Sequence, residues 1–261
     1  MRGARRHFSR TQRIGFTVAN LTLFALAWEY IPVLFDVPRI FLPQLSAVLK
    51  EIPEMHAEGV LISNIWISLR VYLTGMAIAI ALSVPVGLLL GAVRVLDKVI
   101  SPYLWAVYTT PLIILMPLVL LWVGINDRAR VLLVIVSAVP AIIVVVMEGV
   151  KTVDPSLLRA ARSFGADRRR LFMRVVFPST IPFIATGVKM GISRGLIGLF
   201  VGELFTAATG IGYIIELAQK TFQVPRVFAM LMIFVIFSLV MVGTAQYIER
   251  RVSVWRSQAS V

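Results

Sequence analysis

Six long apolar stretches divide the chain, at residues 14–35, 62–93, 100–123, 131–150, 180–204 and 227–248. A helix that crosses the hydrocarbon core of a bilayer needs about 20 mostly apolar residues, and each stretch meets that length. Backbone groups in lipid must be paired within the structure, which leaves helices and closed barrels. Barrel strands alternate polarity over about ten residues. The run from Leu132 to Val146 shows no such alternation. The pattern therefore predicts an all-α polytopic membrane protein with six transmembrane helices. The second stretch is long for one span, so tilt or an extension beyond the membrane is expected there.

Composition supports lipid as the solvent. Of 261 residues, 59% are hydrophobic and 15% are charged, against roughly a quarter charged in soluble domains. There are no cysteines, which excludes disulfides, a thiolate nucleophile and Cys-based metal sites. The two histidines, His7 and His56, lie far apart outside the apolar runs, so no metal site and no cofactor is expected. Asp36, Asp97, Asp127, Asp154 and Asp167 all fall outside the runs, which removes a paired-aspartate intramembrane enzyme. Ser193 and Lys189 alone are a weak basis for a nucleophile and base, and no catalytic residue is assigned. The basic N-terminus precedes an apolar stretch too long for a signal peptide, so that stretch reads as a retained first span.

The net charge of +13 does not point to nucleic acid, because the cations cluster between apolar segments. Arg2, Arg5, Arg6, Arg10 and Arg13 precede the first stretch; Arg94 and Lys98 follow the second. Seven Lys and Arg lie between residues 151 and 174, and Arg250, Arg251 and Arg256 lie near the end. The alternate loops are poor in cations. Positive residues stay on the cytoplasmic side, so both termini are expected there. The expected division is a basic cytoplasmic tail at 1–13, a transmembrane domain at 14–250 and a second tail at 251–261. The expected location is the cell (inner) membrane.

The cytoplasmic loop 151–177 is far longer than the two to eight residues usual between bundled helices. Asp154 is a fitting N-cap, Pro155 a good first helical residue and Gly165 a natural stop. Leu157, Leu158, Ala161 and Phe164 form an apolar stripe at helical spacing. A second amphipathic helix is expected over 167–176, with Pro178 marking entry to the fifth span. A rigid pair of this kind suits either anionic lipid or a cytoplasmic partner.

The loop resembles the signature of binding-protein-dependent ABC importer permeases: Glu-Ala-Ala, three residues, Gly, nine residues, Ile-x-Leu-Pro. Here Arg159-Ala160-Ala161 precedes Gly165 by three residues, and Val175-Val176-Phe177-Pro178 follows after nine. Arg159 replaces the usual Glu and reverses its charge. The segments Leu112 to Ile125, Gly187 to Glu203 and Thr209-Gly210-Ile211-Gly212-Tyr213 are similar to the subfamily that imports nitrate, sulfonates, taurine, bicarbonate, or pyrimidine and flavin precursors. The resemblance implies type I importer architecture and a homodimer of permeases on two cytoplasmic ABC ATPase subunits. It also implies an extracytoplasmic solute-binding protein, which would dock on segments 36–61 and 207–225. It makes Arg159, Ala160, Ala161, Gly165 and Pro178 the ATPase-coupling residues. The chain carries no G-x-x-x-x-G-K-S/T phosphate loop, so ATP hydrolysis is expected on a separate subunit.

Ionisable groups at membrane depth usually face protein or a water-filled path. The fifth stretch holds Lys189, Arg194 and Glu203, candidates for lining or gating the path. Its Gly187, Gly191 and Gly195 form a groove for close helix approach. Pro111 and Pro117 are expected to bend the third span. The alternative is an ion-coupled secondary transporter, but no internal repeat is evident and the loop helices would then have no role.

Overall fold

The computed structural model describes residues 10–206 and 209–252, and these residues are helical throughout their regular structure. The basic tail at 1–9, residues 207–208 and the C-terminal segment 253–261 lie outside the described residues. In chain order the helices are α1 (Arg10–Leu34), α2 (Leu45–Ala57), α3 (Val60–Ala92), α4 (Arg94–Thr109), α5 (Leu112–Val123), α6 (Asp127–Lys151), α7 (Pro155–Ser163), α8 (Arg168–Leu171), α9 (Phe177–Thr206), α10 (Ile211–Lys220) and α11 (Val224–Val252). Five candidate spans are long and apolar enough to cross a membrane, or up to six if the bent pair α4–α5 is one crossing.

The third apolar stretch departs from expectation most. It is two helices that meet at 99°. Pro111 has no N–H and disfavours helical backbone at the residue before it. Thr110 accordingly adopts φ −71°, ψ 125°. The carbonyl that loses its partner to Pro111 is that of Val107, which accepts instead from Thr110 N–H at 3.3 Å. Thr109 Oγ1 donates to the Trp105 carbonyl at 2.9 Å, and Thr110 Oγ1 to the Ala106 carbonyl at 2.7 Å. Pro117 remains inside α5 without breaking it. The long second stretch, by contrast, is one 33-residue helix.

The bundle is organised around α6, whose buried residues include Leu133, Val134, Ile142, Val146 and Met147. Helix α3 covers one side of it, with Gly75 against Val134 and Gly87 against Val146. Helix α9 covers another. Among the α9 glycines, α6 backbone comes nearest at Gly198, where a Cβ would stand 2.5 Å from the Leu133 carbonyl oxygen. Only a residue without a side chain allows the two backbones this near. Tyr72 of α3 packs edge-on against Phe237 of α11, which closes the far side of the core.

The segments 36–61 and 207–225, between apolar stretches, each hold a helix. In α2, Val48 and Met55 are buried, and Arg226 at the start of α11 holds the helix in place through Glu51 at 2.9 Å and Glu58 at 2.7 Å. Ile211, Ile214, Ile215 and Ala218 form the buried face of α10.

Candidate coupling loop and membrane-embedded polar groups

Helix α7 is defined at both ends by local chemistry. The Asp154 carboxylate accepts from the Ser156 backbone N–H at 2.7 Å. That bond holds the Asp154 carboxyl below its ordinary range. At the other end Gly165 takes φ +76°, the left-handed backbone that glycine adopts without a Cβ penalty. Gly165 N–H donates to the Arg162 carbonyl at 2.9 Å and Ala166 N–H to the Ala161 carbonyl at 3.0 Å, the paired bonds of a Schellman stop. No residue of α7 is buried, and Phe164 just beyond it is 92% exposed. Arg159 and Ala160 face solvent, while Ala161 is half-buried.

The second loop helix is not a separate element. Asp167 caps α8, accepting from Arg170 N–H at 2.7 Å. A π-helical turn at Phe172–Val176 then passes directly into α9. Pro178 therefore sits in a continuing helix rather than at a boundary. Proline offers no N–H and crowds the carbonyl four residues back. The wider π turn just before it supplies a local change of hydrogen-bond register, with Phe177 N–H donating to the Phe172 carbonyl.

The three ionisable residues of α9 go to three different places. Lys189 pairs with Glu249 of α11 at 2.7 Å, and Thr186 donates to the same carboxylate at 2.9 Å. Arg194 lies over the Tyr108 ring, 5.4 Å from its centroid, and lines a cavity of about 440 Å³ at the α4–α5 break. Glu203 has no exposed surface. It accepts from Ser68 Oγ at 2.5 Å and from Gly212 N–H at 2.9 Å. Ser68 Oγ in turn accepts from Ile211 N–H at 3.0 Å, and Asn64 Oδ1 from Gly210 N–H at 2.6 Å. The acid therefore pins the segment that leads into α10.

One functional-looking cation lay hidden in the sequence pattern. Arg130 stands just before the apolar run 131–150, and Asn126 caps α6 by accepting from Arg128 and Ala129 N–H, which places Arg130 inside the helix. It is 1% exposed, pairs with Asp127 and donates to the Thr209 carbonyl at 2.6 Å. Arg70 adds a second contact to Asp127 at 3.3 Å. The i,i+3 spacing of Asp127 and Arg130 at the head of an apolar run was the available signal. Asn64 and Ser68 gave none.

Residues 83–254 match the family described as binding-protein-dependent transport system inner membrane component. Over 240 residues, 92% of this chain and 96% of the other, the sequence is 30% identical to a Brucella abortus protein named as a probable ABC transporter permease. The chain belongs to this family. It is the membrane permease subunit of an ABC importer, and the secondary-transporter alternative is set aside. The taurine transport system permease of Escherichia coli is 23% identical over 253 residues, covering 95% of this permease and 92% of its own length. The formylaminopyrimidine transport permease of Halalkalibacterium halodurans is 26% identical over 241 residues, covering 91% and 96%. An inward-facing structure of the MetNI methionine ABC transporter shares the fold, with a TM-score of 0.65 at 21% identity over 74% of the permease and 95% of that chain. The loop 151–177, Arg194 and Glu203 all fall within the matched residues.

Proposed function

We propose that the permease imports a small solute by docking α7 on a separate ABC ATPase subunit, with the bent α4–α5 pair as the third of six crossings and both termini in the cytoplasm. Residues 14–250 then form the transmembrane domain, flanked by tails at 1–13 and 251–261 and carrying the coupling loop 151–177. Two copies would form the pathway, fed by an extracytoplasmic binding protein that docks near α2 and α10. The observation that carries the coupling assignment is α7 itself: a helix capped at both ends whose residues are all unburied in their own chain. Such an element is rigid enough to transmit a push and has its surface free for a partner. Arg159, Ala160, Ala161 and Gly165 shape that surface, and Pro178 lies in the helix that receives the motion. Relatives named for taurine and formylaminopyrimidine support a small organic solute.

Because the chain has no cysteine, a single introduced thiol reports one position only. Ala160→Cys carrying a photo-crosslinker, in native membranes, is expected to yield a product that contains an ATP-binding subunit. Products with lipid alone would overturn the coupling assignment in favour of a membrane-resting helix.

A further inference from the structure

We infer that Asn64, Ser68 and Glu203 are positioning residues of the transport cycle, forming a releasable latch that holds the outer ends of α3 and α9 together through the start of α10. The inference rests on the permease reading and on the proposed topology, which puts this end of the bundle outside. The observation that carries it is the way α10 is capped. The first N–H groups of a helix have no partner inside it and ordinarily take one from a local Ser, Thr, Asp or Asn. Gly210 stands at the cap of α10 and has no side chain to offer. Its own N–H donates to Asn64 Oδ1 at 2.6 Å. Ile211 N–H donates to Ser68 Oγ at 3.0 Å, and Gly212 N–H to Glu203 Oε2 at 2.9 Å. Three successive donors are thus satisfied by side chains of two other helices, α3 and α9. Ser68 Oγ closes the circuit by donating to Glu203 Oε1 at 2.5 Å.

A cap supplied from elsewhere has a property that a local cap lacks: it exists only while α3 and α9 keep this spacing. A hydrogen bond is lost beyond about 3.5 Å, so about 1 Å of separation strips the start of α10. Ser68 and Glu203 have no exposed surface, so water does not share these bonds while the latch is closed. The preceding residue belongs to the same lock. Arg130 of α6 donates to the Thr209 carbonyl at 2.6 Å and to Thr209 Oγ1 at 3.0 Å. Residues 209–212 are therefore held, one after another, by three helices whose ends meet here. Gly212 lets the segment lie flat on α9, where a Cβ would stand 2.7 Å from Glu203 Cβ. A permease that admits solute from outside must part its helix ends on that side. The bonds that then break are polar, and a hydrogen bond given up to water costs little net. That makes the latch releasable once the mouth is wet, whereas an apolar seal would resist.

The test is amide hydrogen exchange of the full permease, co-purified with its ATP-binding subunit in phosphatidylcholine nanodiscs, with and without a non-hydrolysable ATP analogue. A peptide spanning residues 209–214 is expected to be protected without nucleotide and to exchange roughly tenfold faster with it. Unchanged protection there overturns the latch. The α7 peptide is a separate readout: exchange that ignores the ATP-binding subunit counts against the coupling assignment, so the two proposals fall independently. Ser68→Ala removes an acceptor from α10 and a donor from Glu203. It should speed exchange at 209–214 without nucleotide and raise ATP hydrolysis about threefold by favouring the open state, a gain that a mere brace would not give. Ser63→Ala is the control, because Ser63 Oγ bonds to the nearby Gly59 and Val60 carbonyls. Equal hydrolysis in the two variants overturns the latch. Asn64→Ala, which removes the acceptor of Gly210 N–H, replaces Ser68→Ala if that variant does not fold, with the same expected and overturning results.

Discussion

Glu203 illustrates how a carboxylate survives at membrane depth. Each of its oxygens has one donor, Ser68 Oγ or Gly212 N–H, and both donors are themselves fixed within the fold. Glu203→Gln turns an amide N–H₂ toward one of these donors. Leaving a buried donor unsatisfied costs about 1–3 kcal/mol, so the variant's denaturation midpoint in micelles should fall accordingly. An unchanged midpoint would mean that the acid is not a brace. The sequence shows that an acid within an apolar run needs partners, but it does not show which. Ser68 lies 135 residues away and looks like any small polar residue in a span. The role of Arg130 is not legible either, because the apolar run begins only after it and leaves the helix start at Asp127 unmarked. Among the described residues Arg194 makes no ion pair, and its guanidinium lies over the Tyr108 ring.

At the scale of elements, the glycine spacing in α9 was readable as a groove. Its occupant was not, because six apolar runs of similar composition offer equivalent partners. The structure supplies α6. Gly198→Val should destabilise by about 1–3 kcal/mol or more, since overpacking against backbone cannot be relieved by a rotamer change. Gly243→Ala on α11 is the control, because a Cβ there meets nothing within 4 Å, and its effect should stay within about 0.5 kcal/mol. Equal losses in the two variants, measured by the same unfolding titration, would remove close α6–α9 packing as the cause. The caps of α7 were legible for a different reason: Asp154, Pro155 and Gly165 act on their own backbone and need no distant partner. The break at Pro111 was half-legible. Two prolines mark the third stretch, and only Pro111 follows a pair of threonines whose hydroxyls bond back to carbonyls in the last turn of α4.

Across the whole molecule, ion pairs tie helices together near the end of the bundle that carries α7. Lys189 holds α9 to α11 through Glu249, and Lys151 holds α6 to α4 through Asp97 at 3.0 Å. A charge swap tests the first. Lys189→Glu should lower stability and transport together, and adding Glu249→Lys should restore much of both, with a coupling of about 0.5–3 kcal/mol in a double-mutant cycle. Strict additivity would show that the pair does not interact. The continuity of α8, the π turn and α9 has a mechanical consequence. Helical structure runs unbroken over 39 residues from Arg168 to Thr206, close to 58 Å at about 1.5 Å per residue. A beam of that length is a lever: tilting it by about 5° about its middle carries each tip through about 2.5 Å. That travel is comparable to a hydrogen bond, so under the coupling proposed above a nudge delivered beside α7 would suffice to part Glu203 from Ser68 at the opposite tip.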